Sequence, residues 1–258
     1  MEFFTKQEKD TVMQFTDISP RVRQHLCQVY ATLCIGCLCA ATACMWTPSC
    51  VTKLIVEEIL FSCLCVGLIL ALAFVMLKKG GNNDQFVKSA CFFAISFISG
   101  IGLRPLVDRA AEVDPIIVTN ALVYTGSLFG TFTFFSLTTE RRKMLFIGGF
   151  IGSIWLGIST TYLISWIFEI SLVDYLQYNI LILACLSLFV IYNTQLIVEK
   201  ASMGDYDYTI HATELFIVLL RIFIKIVVIL IILSMVAKAN SDKKKKEKDG
   251  DSSDEDAQ

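Results

Sequence analysis

Seven long apolar stretches, at 29–46, 55–77, 86–103, 116–137, 144–168, 173–197 and 210–236, are separated by short polar or turn-forming segments. Each is close to the roughly 20 residues that carry a helix across about 30 Å of hydrocarbon. Short alternating runs, the mark of a membrane barrel, are absent. The pattern predicts an all-α membrane protein of seven hydrophobic helices. Pro48 and Pro105 follow apolar segments, Asp114 and Pro115 offer a cap and a first-turn proline, and Gly80, Gly81, Asn82 and Asn83 form a turn cluster. All four prolines therefore fall outside segment interiors, which predicts helices free of proline kinks.

Three regions follow. Residues 1–28 are polar and show no cleavable signal pattern, so the first span itself is expected to target the chain and to leave its amino terminus cytosolic. Residues 29–236 form the multi-pass helical domain. Residues 237–258 have no apolar periodicity and run from a lysine block, Lys243 to Lys246, into an acidic one; such tails are normally disordered. Ser252 and Ser253, followed by Asp254, Glu255 and Asp256, are candidates for an acidophilic kinase.

Basic residues at the amino terminus and in the even loops are Lys6, Lys9, Arg21, Arg23, Lys78, Lys79, Lys88, Arg141, Arg142, Lys143 and Lys200. The odd loops hold Lys53, Arg104 and Arg109. The positive-inside rule puts the first set in the cytosol. Seven full crossings would then place the basic tail on the opposite side, so either the last segment re-enters without crossing or its tail is translocated.

The last segment is the most informative. At about 100° per residue, His211, Glu214, Val218, Arg221 and Lys225 fall within one arc of roughly 80°. Ionised groups at membrane depth cost about 2.5–3.5 kcal/mol each, so the arc should face protein or a wet cavity. Glu214 and Arg221 are candidates for a buried polar network or ion path, with Asn193 facing them from the sixth helix and His211 a pH-sensitive neighbour. The structural alternative is an interfacial His211, a snorkelling Lys225 and a simple Glu214–Arg221 pair.

Composition narrows the function. Hydrophobic residues make up 55% of the 258 positions and charged ones 18%, more apolar surface than a soluble core needs. The ten cysteines lie almost entirely in apolar segments, which excludes a disulfide framework, and Cys34 with Cys37 sits mid-span without partner ligands. His25, placed before the first span, and His211 are the two histidines of the chain. Ser99 has no matched base and no cluster has metal-ligand spacing, so neither an enzyme, a metal site nor a cofactor is expected. Gly126 and Gly130 have the spacing that lets helices approach closely within a bundle.

The block YNTQLIVEKASMGDYDYTIHATELF at 192–216 joins SPRVRQHLCQVYA at 19–31, GIGLRP at 100–105, DP at 114–115 and RRKMLFIGG at 141–149. Together, and in this order, they resemble the Bax inhibitor-1 family, in particular its endoplasmic-reticulum branch. The resemblance implies a last helix wrapped by six others. It also implies a place in calcium homeostasis, calcium leak, protection from stress-induced cell death and the unfolded-protein response. The implied partners are the lipid bilayer, cell-death regulators, stress-response membrane proteins, and Ca²⁺ or H⁺, but no nucleic acid. In that family two aspartates on the sixth and seventh helices share protons and gate the leak. Like charges in low dielectric cannot comfortably ionise together. Here those positions hold Asn193 and Val218, neither of which titrates, and Arg104 stands where a glycine is usual. The resemblance thus implies a lost or weakened pH-gated leak. The alternative is a cation or proton leak gated by a substitute network of Glu214, Arg221 and Arg104.

Overall fold

A computed structural model describes residues 19–48, 74, 84–138 and 175–255, with side chains described as far as Ser241. Five long helices run through them: α1 (Pro20–Trp46), α2 (Asp84–Val113), α3 (Ile116–Thr138), α4 (Tyr175–Ser202) and α5 (Tyr208–Glu255). All five are long and apolar enough to cross a membrane. No strand occurs among the described residues. Apart from Phe74, the expected segment at 55–77 lies outside them, as does the one at 144–168 with the RRKMLFIGG motif.

Helix ends follow local chemistry more than the apolar pattern. Ser19 caps α1, its hydroxyl accepting from the Val22 N–H at 3.4 Å, and Pro20 occupies the first turn. The helix therefore begins well before residue 29 and takes His25 inside it. At the other end Thr47 donates its hydroxyl to the Ala43 carbonyl at 2.7 Å, just before Pro48.

Pro105 corrects the expectation of proline-free helices: α2 runs through it to Val113. A proline removes one backbone bond and crowds the carbonyl four residues earlier. Arg104 stitches this turn together, bonding Asp108 on its own helix at 3.0 Å and the Cys44 carbonyl of α1 at 3.1 Å. Asp114 then caps α3, its carboxylate accepting from the Ile116 N–H at 2.9 Å.

The helices form a ring around α5. Neighbours meet in the order α1–α2–α3–α4–α1, and each of the four also packs on α5. Helix α5 holds the most apolar stretch of the five spans, with a mean hydropathy of 3.1, and carries the polar arc that calls for protein neighbours. Leu215, Phe216, Ile222 and Val227 of α5 meet Val29 and Leu33 of α1, Phe92 of α2, and Val190 and Ile197 of α4 in the core.

Close helix approach occurs between α1 and α2. A Cβ on Gly100 would come within 2.1 Å of the Ala40 carbonyl oxygen, and one on Gly36 within 2.4 Å of the Phe92 ring. The pair expected to serve this purpose, Gly126 and Gly130, is exposed and meets nothing within 4 Å among the described residues. Spacing alone permits close approach; only a facing backbone uses it.

The two ends of α5 lie at opposite ends of the bundle. Its first turn lies beside the amino-terminal turns of α1 and α2, while Lys238 donates to the Val113 carbonyl at the end of α2 at 2.6 Å. The helix runs unbroken through the whole bundle. It also continues to Glu255, so most of the region expected to be disordered is helical. Within it, the five lysines and one glutamate at 243–248 have good helix propensity even without a packing face. Ser252 and Ser253 lie beyond the last described side chain.

Candidate functional site

The turn between α4 and α5 is built from backbone bonds. The Gly204 N–H donates to the Ala201 carbonyl at 3.1 Å and the Asp205 N–H to the Lys200 carbonyl at 3.0 Å, closing α4 in a Schellman motif. This needs a left-handed residue at position 204, where glycine has φ 99°. Asp205 accepts from the Asp207 N–H at 3.2 Å, and Asp207 caps α5 by accepting from the Ile210 N–H at 3.3 Å. Helix α2 fastens the same turn: Lys88 pairs with Asp207, and Gln85 donates to the Thr209 hydroxyl at 2.9 Å.

The polar arc of α5 leaves this turn, and burial falls off around it in order. Taking His211 as the zero of rotation, Val218 stands at about −20°, Lys225 at −40°, Glu214 at −60° and Arg221 at −80°. His211 is 0% exposed and Val218 3%. Lys225 is half-buried, donating to the side-chain amide oxygen Oδ1 of Asn179 on α4 at 3.0 Å and lying 5.9 Å from the Tyr178 ring centroid. The Glu214 side chain is 36% exposed and Arg221 is exposed. The arc is real, but only one edge of it faces inward.

Glu214 pairs with Lys200 of α4 at 3.2 Å. Arg221 lies seven residues further along α5, about 10.5 Å along the axis. Arg104 sits at the opposite end of the bundle with Asp108 and the last carbonyls of α1, and so joins neither. Asn193 is buried at 6% exposure on α4, which packs against α5. Both positions at which the family resemblance places aspartates are therefore inside the bundle.

The polar centre that the sequence pattern did not reveal is a histidine pair. His25 of α1, 2% exposed, brings its Nε2 within 3.0 Å of Nδ1 of His211. The rings meet edge-on, with centroids 5.2 Å apart, and Tyr206 packs edge-on against His25 at 5.6 Å. Asp205 approaches the other nitrogen of His211 at 3.8 Å. The available signal was the Ser19–Pro20 helix start, which extends α1 by two turns and carries His25 into the bundle.

The family model described as "Inhibitor of apoptosis-promoting Bax1" matches residues 22–235. Human Bax inhibitor 1 is 30% identical over 233 residues, covering 87% of this chain and 92% of that protein. The probable Bax inhibitor 1 of Paralichthys olivaceus is 32% identical over 219 residues, 84% of this chain and 89% of the relative. Bax inhibitor 1 of Arabidopsis thaliana is 28% identical over 228 residues, 84% of each.

Proposed function

The chain belongs to the Bax inhibitor family, and from that premise we propose that it modulates calcium homeostasis and restrains stress-induced cell death in the endoplasmic-reticulum membrane. In this reading it is not an enzyme, its amino terminus is cytosolic, and its pH-gated calcium leak is lost or weakened. The observation that carries the reading is the burial of Asn193 and Val218. An amide and an isopropyl group at interior positions neither exchange protons near neutral pH nor repel each other, so they supply no proton-controlled gate.

A leak gated by Glu214 and Arg221 is less well supported, since Glu214 is held by Lys200 and Arg221 is exposed. The cations on this face also disfavour passage of Ca²⁺. The likeness in family supports a shared fold and setting; mechanism rests on site residues.

The test is Ca²⁺ flux through the purified full chain in liposomes between about pH 6 and 8, where shared carboxylates titrate. The wild type is expected to show no pH-gated flux, and the double change Asn193→Asp with Val218→Asp to create it. Strong pH-gated flux from the wild type that Glu214→Gln abolishes would defeat the reading.

A further inference from the structure

The two histidines meet across 186 residues, from the first described helix to the last, in a contact whose hydrogen-bond logic is restrictive. Each ring has two nitrogens, and a bond between Nε2 of His25 and Nδ1 of His211 requires one to donate and the other to accept. The surroundings favour one arrangement. If His25 Nε2–H donates, His211 carries its own hydrogen on Nε2, aimed toward the Asp205 carboxylate at 3.8 Å. The reverse arrangement turns a bare lone pair of His211 toward that carboxylate. Nδ1 of His25 is buried and has no hydrogen-bond partner among the described residues, which leaves it available to one added proton.

We infer that His25 and His211 constitute a single proton-binding site that clasps α1 to the start of α5. The first added proton goes to Nδ1 of His25 and leaves the N–H···N bond intact. A second must go to Nδ1 of His211, the acceptor within the bond. That proton removes the acceptor and places two imidazolium rings edge to edge, so the clasp opens.

The charged groups around the pair define what else feels this event. The α4–α5 turn contributes Asp205 and Asp207, α4 contributes Lys200, and α5 contributes Glu214. Lys88 of α2 reaches the pair through Asp207, and Lys200 is engaged with Glu214. Asp205 is thus the carboxylate directed at His211, while Tyr206 of the same turn rests on His25. Opening the clasp loosens the contacts of residues 204–207, the turn that positions the start of α5. The inference needs neither the calcium reading nor the dyad positions and stands or falls separately from them.

Because the chain has two histidines in all, ¹⁵N-histidine labelling of the full protein, with a purification tag free of histidine, reports on this pair alone. In detergent micelles titrated from pH 8 down to about 4, a range set by burial that disfavours both charged rings, a scalar coupling between the two facing nitrogens is expected at high pH. Both rings should respond to each of two macroscopic titration steps, and the coupling should vanish at the second. Amide exchange over 204–211, corrected for intrinsic pH dependence, should rise about tenfold at that step, the scale of one lost buried hydrogen bond. His25→Gln should leave a single step at His211 and no such rise. Two rings that titrate independently without coupling in the wild type would overturn the inference, as would exchange over 204–211 that is indifferent to the second step.

Discussion

Lys200 and Glu214 form a 3.2 Å ion pair across the turn that joins α4 to α5, and both side chains remain partly exposed at 29% and 36%. A pair so placed is screened and contributes about 0.2–1 kcal/mol. Glu214→Gln should therefore lower thermal stability only slightly, and added salt should reduce the difference from wild type. Thermal unfolding in detergent at low and high salt checks this; a loss above about 2 kcal/mol would mark Glu214 as a buried charge, for which breaking the pair is costly.

Arg104 ties two helices at the opposite end. Its guanidinium reaches Asp108 and the Cys44 carbonyl together, a fork that a lysine cannot reproduce. Arg104→Lys should cost about 1–2 kcal/mol, the scale of one or two hydrogen bonds to a charged donor. It should also free the end of α1, seen as faster thiol labelling of Cys44 resolved by mass spectrometry. Unchanged labelling would show that Arg104 does not hold this end.

Gly100 and Gly102, two residues apart on α2, should respond oppositely to the same change. Gly100→Ala pushes a methyl into the Ala40 carbonyl and should destabilise by about 1–3 kcal/mol through overpacking. Gly102→Ala meets nothing within 4 Å among the described residues and should be neutral or up to about 1 kcal/mol stabilising through helix propensity. Unfolding midpoints of the two variants measured side by side decide it; equal effects would refute the α1–α2 contact.

Gly204 should tolerate little. Its φ of 99° is strained for any L side chain, although a Cβ there has open space. Gly204→Ala should cost about 1 kcal/mol or more and Gly204→Asn less, because asparagine enters the left-handed region more readily. The order of the two melting temperatures is the measurement, and alanine at or above asparagine would contradict the Schellman closure.

The apolar runs mapped the described spans closely. The segment predicted at 116–137 is the span observed at Ile116–Leu137. Ends were less legible, because capping residues and not hydrophobicity set them: Ser19 starts α1 early, and Arg104 with Asp108 carries α2 beyond Pro105. The turn chemistry at 204–207 was within reach of the sequence, since glycine and aspartate there have specific backbone roles. It gained importance only when Lys88 and Gln85 were found to converge on it from another helix.

By itself the sequence determined that this is a bundle of membrane-length helices and that its last helix carries polar residues along one arc. Those properties depend on composition and on the 3.6-residue period, which are local. Tertiary structure alone decided which edge of the arc is buried, which cation meets Glu214, and that the two histidines share a bond. Each of these depends on where a neighbouring helix lies around α5, and a rotation of about 80° separates a buried His211 from an exposed Arg221. Periodicity along one helix specifies a face but carries no information about which partner will cover it.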